Sequence, residues 1–206
     1  LMPDPHTVTQ METAALRIAD AAARGEKVAI FGDYDVDGAT SAALLAWHLR
    51  HCGLDPLIHI PDRIFEGYGP NVEAVRGLAA KGATLLVTVD CGTTSIEPLA
   101  EAKKLGMDVV VIDHHQCGDE LPVVDALVNP NRLDESDTGA AHGHLAAVGV
   151  AYLLAIATVR ALRQKGFFTD RPEPDLLSLL DLVALGTVAD VAALHGLNRA
   201  MVSQGL

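Results

Sequence analysis

Three short apolar segments of this sequence each end in side chains that could bind a metal ion. The segments and the residues that follow them are 27–32 with Asp33, 84–89 with Asp90, and 108–112 with Asp113, His114 and His115. Carboxylates and imidazoles without a thiolate favour hard or borderline divalent ions, with Mn²⁺ ahead of Mg²⁺ because of the histidines and Zn²⁺ as an alternative. The residue types therefore predict metal-dependent chemistry.

The segment DYDVDG places three carboxylates at alternating positions, Asp33, Asp35 and Asp37, directly before a predicted helix. Carboxylates this close repel one another, so they would be partly neutralised or would hold cations. Binding a cation requires less free energy than neutralising the carboxylates when neighbouring strands supply further anionic ligands. The alternative is a solvated turn that caps the helix. An EF-hand loop is excluded, because its twelfth position requires Glu and this sequence has Leu44 there.

The triplet of Asp113, His114 and His115 could divide the work of a site between its two imidazoles. One histidine suits a metal ligand and the other could face a substrate, while the neighbouring carboxylate supports them. Asp90 is the carboxylate that we expect to bridge two ions. Gly92 is small enough to let a phosphate approach, so we include it among the substrate-binding candidates.

Two further candidates have two interpretations each. Asp190 lies in ALGTVADVAAL, an almost wholly apolar segment, where an ionised carboxylate is costly without a partner such as a metal. A helix N-cap explains Asp190 equally well. Arg63 stands in PDRIFEGYG, in a loop loosened by glycines, so it could clamp a phosphate or form an exposed salt bridge. From the residues alone, both alternatives stay open.

A pair of divalent ions would supply the chemistry of phosphoester hydrolysis. Two ions about 4 Å apart lower the pKa of a bridging water and offset the charge of a phosphate during in-line attack. No serine, cysteine or lysine nucleophile is then required. We therefore predict a two-metal phosphoesterase that acts on phosphodiester bonds in nucleic acid.

Helical and strand patterns alternate along most of the chain. The predicted helices are 9–24, 39–49, 71–81 and 95–105, and the predicted strands are 27–32, 56–60, 84–89, 108–112 and 126–128. Such alternation predicts an α/β fold with a doubly wound, mostly parallel, Rossmann-like sheet. In that fold the strand ends of one sense meet at one edge, so the acidic residues should converge there. Two apolar helices, 145–163 and 175–185, are expected to form a helical cap or to lead to a second domain.

Composition limits the class of protein. Half of the 206 residues are hydrophobic and the formal net charge is −12, which argues against a broad phosphate-binding surface. Cys52, Cys91 and Cys117 show no C-x-x-C pairing, so neither a disulfide framework nor a thiolate zinc site is predicted. The apolar runs are shorter than the roughly 18 residues that cross a bilayer, and no leader opens the sequence, so we expect a soluble, cytoplasmic protein. Because the chain does not begin with Met, we expect a fragment of a longer protein.

Seven segments occur in order over nearly the whole chain. They are FGDYDVDGATS (31–41), PDRIFEGYG (61–69), VTVDCGTTS (87–95), VIDHH (111–115), LVNPN (127–131), HLAAVGVAY (144–152) and LDLVALGTVADV (180–191). Together they resemble the DHH phosphoesterase superfamily. The segments PDRIFEGYG and GTVADV are similar to those of the RecJ-like single-strand exonucleases within it.

The resemblance implies roles for individual residues. The implied metal ligands are Asp33, at a position where relatives carry Asp or His, together with Asp35, Asp37, Asp90, His114 and Asp190. His115 is implied to contact the scissile phosphate, and Asp113 to hold the two histidines in place. One departure from the family pattern is Ala147, where many relatives have Gly, beside a helix start.

The resemblance also implies an activity and a domain organisation. It implies that residues 1–206 form the catalytic core of a 5′-to-3′ exonuclease that uses Mn²⁺ or Mg²⁺ to release mononucleotides from single-stranded DNA, in DNA repair and recombination. RecJ-like proteins also carry a DHHA1-type domain and an oligonucleotide-binding fold, which this sequence lacks. Those domains could supply the basic surface that the acidic core does not have. Single-stranded DNA, and for the full-length protein a single-strand-binding protein or a helicase, are the implied partners.

Three alternatives remain from sequence. A relative of the same superfamily could act on oligoribonucleotides, cyclic dinucleotides or pyrophosphate. A non-catalytic scaffold is disfavoured because every expected ligand type is present. A phosphoacceptor domain would need a Lys near a later strand end, and it explains neither His114 nor His115.

Overall fold

A five-stranded parallel sheet forms the centre of the computed structural model, which describes residues 2–206. The strands are β1 (Val28–Gly32), β2 (Leu57–His59), β3 (Leu85–Val89), β4 (Asp108–Ile112) and β5 (Ala126–Val128), in the spatial order β2-β1-β3-β4-β5. All neighbouring strands pair in parallel. The predicted doubly wound α/β fold is confirmed, and its switch point lies between β1 and β3, where such sheets bind ligands.

Helices cover both faces of the sheet. The helices are α1 (Met11–Arg24), α2 (Val36–His51), α3 (Val72–Ala80), α4 (Ile96–Lys104), α5 (Asp137–Ala140), α6 (Ala147–Gln164), α7 (Leu180–Ala189) and α8 (Gly196–Gly205). Short 3₁₀ turns at Pro5–Thr7 and Leu176–Leu179 complete the elements.

Alternate residues of β1, β3, β4 and β5 enter two separate cores, because successive strand side chains point to opposite faces. Ile30 packs into a large core with residues of α1, α2 and α6, whereas its neighbour Phe31 packs into a smaller one with residues of α3 and α4. The central strands β1 and β3 are buried along their whole length. The unbroken apolar runs in the sequence follow from this two-sided burial.

Helix α6 is the central helix of the larger core. It packs against α1 and α2, and most of its residues are buried. The prediction of a helical cap is therefore wrong for this segment. By length and composition it could cross a membrane, which corrects the expectation that no segment was long and apolar enough, but 78% of it is buried inside the protein.

Two helices differ most from their predicted boundaries. Helix α2 starts at Val36, three residues early, because the Asp35 carboxylate accepts a hydrogen bond from the Gly38 N–H at 2.9 Å and caps it. The predicted helix 175–185 divides into a 3₁₀ turn and α7, and α7 continues to Ala189.

Candidate metal centre

The carboxyl ends of β1, β3 and β4 bring three aspartates to one edge of the sheet. Asp33, Asp90 and Asp113 each continue the strand ladder by one step. Their backbone N–H groups donate to the carbonyls of the neighbouring strand at 3.2, 2.9 and 3.0 Å, respectively. The convergence that the topology predicted is therefore present, beside the switch point.

One group of potential ligands surrounds His114. The side-chain atoms of Asp37, His114 and Asp190 lie within 4.8 Å of one another. His114 Nε2 is 3.8 Å from Asp37 Oδ2, and His114 Nδ1 is 4.0 Å from Asp190 Oδ2. Three different elements, α2, the loop after β4 and the end of α7, thus supply a mixed carboxylate and imidazole set.

A second group contains carboxylates only. Ligand atoms of Asp33, Asp35 and Asp90 lie within 4.8 Å of one another. Asp90 also approaches the first group, since its Oδ1 is 3.2 Å from His114 Nε2. Asp90 is therefore placed between the two groups, as a carboxylate that bridged two ions would be.

Several polar atoms at this junction have no hydrogen-bond partner among the described residues. Asp33 Oδ1, Asp90 Oδ1 and His114 Nε2 are buried and accept or donate no hydrogen bond among residues 2–206. The 3.2 Å approach of Asp90 to His114 is close enough but misaligned for a hydrogen bond. Buried polar atoms are normally satisfied, and hard divalent ions take carboxylate oxygens and imidazole nitrogens. These residues fit a metal.

Electrostatics support the same interpretation. Burial raises the pKa of Asp90 to about 8 and that of Asp37 to about 6. Burial alone would lower the pKa of His114, but the carboxylates of Asp90 and Asp37 outweigh it and raise that pKa to about 9. Without a metal the centre therefore retains protons at neutral pH, which metal binding would displace.

Asp113 orients both histidines. Its Oδ1 accepts hydrogen bonds from the backbone N–H groups of His114 at 2.8 Å and His115 at 3.2 Å, and lies 2.7 Å from His115 Nδ1. Its Oδ2 accepts from the Thr93 N–H at 3.0 Å. Burial opposes its charge, yet the bond from His115 leads the effects that lower the Asp113 pKa to about 2. Because Asp113 engages His115 Nδ1, Nε2 is the free ring nitrogen. His115 also lies with Asp90 and His114 in a third possible ligand group, so its contact with a substrate stays a prediction.

Two asparagines that sequence reasoning did not place in the site hold the histidine backbone. Asn129 Nδ2 donates to the carbonyl of His115 at 2.9 Å, and Asn131 Nδ2 donates to that of His114 at 2.6 Å. Both belong to the LVNPN segment at the end of β5. Their position after a strand at the same sheet edge was the signal that could have identified them.

Asp37 makes contacts that the spacing of DYDVDG could not predict. Its Oδ2 accepts from the Ala147 N–H at 2.6 Å and its Oδ1 from the Val148 N–H at 2.9 Å, at the start of α6. Gly38 beside it is required sterically, since a Cβ there would lie 2.5 to 2.7 Å from backbone atoms of Asp33. The acidic loop is thus packed directly against its own helix and against α6.

Asp190 lies at the carboxyl end of α7, so the alternative of a helix N-cap is wrong. A negative charge at a helix C-terminus is unfavourable, because the carbonyl groups there carry partial negative charge. Burial raises its pKa. Both effects favour a cation beside this carboxylate. Helix α7 can approach because of Gly186, where a Cβ would meet Thr40 and would lie 3.1 Å from Asp37 Oδ1.

Asp90, Gly92 and Arg63 differ in backbone conformation, packing and exposure. Asp90 has φ 61°, a left-handed conformation that costs a non-glycine residue roughly 1–2 kcal/mol. Gly92 is buried with φ 114°, and a Cβ there would collide with the Thr88 side chain, so packing explains this glycine; its substrate-binding role stays a prediction. The exposed Arg63 stacks over Tyr34 at 5.2 Å and has no ion-pair partner in the described part of the chain, so its predicted salt bridge is absent.

Comparison with known proteins identifies the family of this chain. The family described as DHH family, N-terminal domain, matches residues 27–187. The chain belongs to the DHH family. Its DHH family relatives include the single-stranded-DNA-specific exonuclease RecJ of Dickeya dadantii, which is 46% identical over 92% of this chain and 33% of that protein.

Solved structures agree with the DHH family assignment. A crystal structure of exonuclease RecJ bound to manganese is 35% identical with a TM-score of 0.80, over 99% of this chain and 48% of that one. RecJ from Thermus thermophilus in complex with Mg²⁺ is 30% identical with a TM-score of 0.55, over 96% of this chain and 23% of that one. The chain thus spans only part of the length of the relatives that it matches.

Proposed function

We propose that this chain is the catalytic core of a metal-dependent exonuclease that degrades single-stranded DNA from the 5′ end to mononucleotides. The RecJ relatives are named for single-stranded DNA, and three RecJ structures hold Mn²⁺ or Mg²⁺. The observation that carries the proposal is the meeting of two ligand groups at Asp90, 3.2 Å from His114. A cytoplasmic location belongs to the same proposal.

The two ligand groups would hold two ions. Asp37, His114 and Asp190 would form one set and Asp33 and Asp35 the other, with Asp90 shared between them. Bound divalent ions lower the pKa of a water and offset phosphate charge during in-line displacement. The protein positions these ligands on rigid elements, since the ends of three strands and two helices contribute them.

The remaining residues would act on the substrate. His115 is about half exposed at its side chain, and the carboxylate of Asp113 raises its pKa and thereby favours its charged form. A protonated imidazole with one free N–H suits an oxygen of the scissile phosphate. Arg63, exposed and without an ion-pair partner among the described residues, would bind a second phosphate.

The net charge of −12 places a condition on this proposal. An acidic core does not bind a polyanion strongly by itself, because affinity for the phosphate backbone comes from lysines and arginines. Residues 1–206 would therefore act as one catalytic domain, and basic surfaces elsewhere in the full-length protein would grip the strand. A single-strand-binding protein or a helicase would be a partner of the full-length protein only.

The direct test measures mononucleotide release by the full-length protein from a 5′-phosphorylated single-stranded oligonucleotide with Mn²⁺. Asp90→Ala should abolish release. Asp55→Ala is the matched control, because the Asp55 side chain is 87% exposed and its one ion-pair partner among residues 2–206 is Arg50, at 3.7 Å. Wild-type activity in Asp90→Ala would refute the proposal. A panel with an oligoribonucleotide, a cyclic dinucleotide and pyrophosphate separates it from other DHH substrates, and equal or faster turnover of one of them would reassign the substrate.

A further inference from the structure

Two large apolar side chains protrude from a loop beside the metal centre. Ile64 is 84% exposed and Phe65 is 87% exposed, both in the loop of residues 61–69, which we name the aromatic loop. Side chains of this size normally gain about 2 kcal/mol or more when buried. Two adjacent ones held in solvent indicate a surface that contacts another molecule.

Hydrogen bonds within the aromatic loop hold its backbone in one conformation. Asp62 Oδ1 accepts hydrogen bonds from the backbone N–H groups of Ile64 at 2.8 Å and Phe65 at 3.1 Å. Glu66 Oε1 accepts from the Asp62 N–H at 2.9 Å, while its Oε2 lies 2.8 Å from His59 Nε2. These hydrogen bonds hold the backbone of Ile64 and Phe65 in place while both side chains stay exposed.

The same loop contacts the metal centre directly. The Tyr68 hydroxyl donates to the carbonyl of Asp90 at 3.1 Å, and its oxygen lies 3.2 Å from His115 Nδ1. Tyr68 also packs edge-on against Tyr34, with ring centroids 6.4 Å apart, and Arg63 lies over Tyr34. Tyr68 and Arg63 thus connect the aromatic loop to Tyr34, and Tyr68 connects it to the candidate phosphate-contacting histidine, with ring centroids 5.8 Å apart.

We infer that Phe65 stacks on an unpaired nucleobase of the strand whose phosphate lies at the metal centre, with Ile64 packed beside it. This inference rests on the proposed function. A base in a single strand offers an apolar face, and stacking on an aromatic side chain tolerates any sequence. A duplex hides these faces, so the contact would select single strands. The loop would thereby contribute to substrate choice as well as to affinity.

The experiment compares steady-state kinetics of the full-length protein on two single-stranded substrates, one with all its bases and one abasic over the nucleotides nearest the 5′ end. Phe65→Ala should raise KM for the base-bearing strand by about 5-fold to 100-fold, with kcat nearly unchanged. On the abasic strand the same variant should match the wild type. Phe65→Trp should restore the wild-type KM.

Val123→Ala is the matched control, because Val123 is also 87% exposed but lies outside the aromatic loop. An unchanged KM in Phe65→Ala, or an equal rise on both substrates, would overturn the inference while leaving the proposed function intact. A dimer that dissociates in Phe65→Ala, with unchanged KM, would instead assign the tip to contacts between copies of the chain. Failure of the wild type to cleave either strand would count against the proposed function itself.

Discussion

The backbone N–H of Ala147 donates a 2.6 Å hydrogen bond to the buried carboxylate of Asp37, 110 residues earlier in the chain. Helix α6 therefore presents its N-terminus, where backbone N–H groups lack partners within the helix, to a candidate metal ligand. The hydrogen bonds from the start of α6 fix the orientation of the Asp37 carboxylate. The largest core helix is in this way coupled to the centre.

Ala147→Pro should weaken Mn²⁺ binding by about 5-fold or more, because it removes one bond to a charged group and places the ring Cδ where the N–H points at Asp37, so that carboxylate must move. Proline is tolerated at the first residue of a helix, and Ala146 before it already has the extended φ −69° and ψ 161° that a following proline requires. Calorimetric titration measures the affinity. Val72→Pro, at the first residue of α3, is the control and should bind Mn²⁺ like the wild type. Equal affinities in all three proteins would show that α6 does not position Asp37.

Asp90→Asn should stabilise the metal-free protein while abolishing activity. Burial raises the pKa of Asp90 to about 8, above an unfolded value near 3.9, so ionisation opposes folding. The loss of folding stability caused by ionising Asp90 is absent below the unfolded pKa and grows as pH rises toward about 8. We expect a gain of about 1–3 kcal/mol in the free energy of unfolding at pH 8, partly offset by loss of the His114 contact. Urea denaturation in EDTA at pH 4 and pH 8 measures this gain. A variant that is less stable than the wild type at pH 8 would contradict the prediction.

Asp113→Asn should disorder the histidines and destabilise the fold. The depressed pKa of about 2 means that Asp113 contributes stability above its unfolded pKa, which is lost as pH falls through about 2. At pH 7 the free energy of unfolding of Asp113→Asn should be about 2 kcal/mol lower than that of the wild type. NMR titration of the metal-free variant should show the His115 pKa falling toward about 6.5. Asp119→Asn, on the exposed loop that follows, serves as the control, and a His115 pKa unchanged in Asp113→Asn is incompatible with the proposed contact.

Gly186→Ala should destabilise the protein by about 1–3 kcal/mol and reduce Mn²⁺ affinity, because the new methyl group forces α7 and Asp190 away from α2. Gly77→Ala in α3 is the matched control. A Cβ at Gly77 meets nothing within 4 Å. Alanine there should therefore raise the free energy of unfolding by about 0.5–1 kcal/mol, because alanine has the higher helix propensity. Thermal denaturation compares the two variants. Equal effects would show that Gly186 is not needed for this approach.

Much of the fold could be predicted because β1, β3, β4 and β5 are buried on both faces. Strands β4 and β5 were predicted with their observed bounds, since an apolar run between polar turns leaves little freedom in its limits. The convergence of Asp33, Asp90 and Asp113 followed from parallel topology alone. The alternative of a helical cap was wrong for α6, because an apolar helix that covers a sheet and one that covers a site have the same composition.

The parts of the site that were missed depend on contacts between distant segments. Neither the donation of Ala147 to Asp37 nor that of Tyr68 to the Asp90 carbonyl leaves a pattern in local spacing. Asp190 was ambiguous for the same reason, since its placement near His114 depends on the packing of α7 rather than on its neighbours in sequence. Close approaches permitted by glycine, such as that at Gly186, become visible only once the helices are placed.

The central claim is that two ligand sets share Asp90, and the number of Mn²⁺ ions bound per chain tests it most directly. Calorimetry of the metal-free protein should give a stoichiometry of about two for the wild type, as expected of a two-metal site. Asp33→Ala and Asp190→Ala, one from each set, should each leave one saturable ion. Asp90→Ala should leave none. Retention of both ions by Asp90→Ala, with wild-type affinity, would contradict the account.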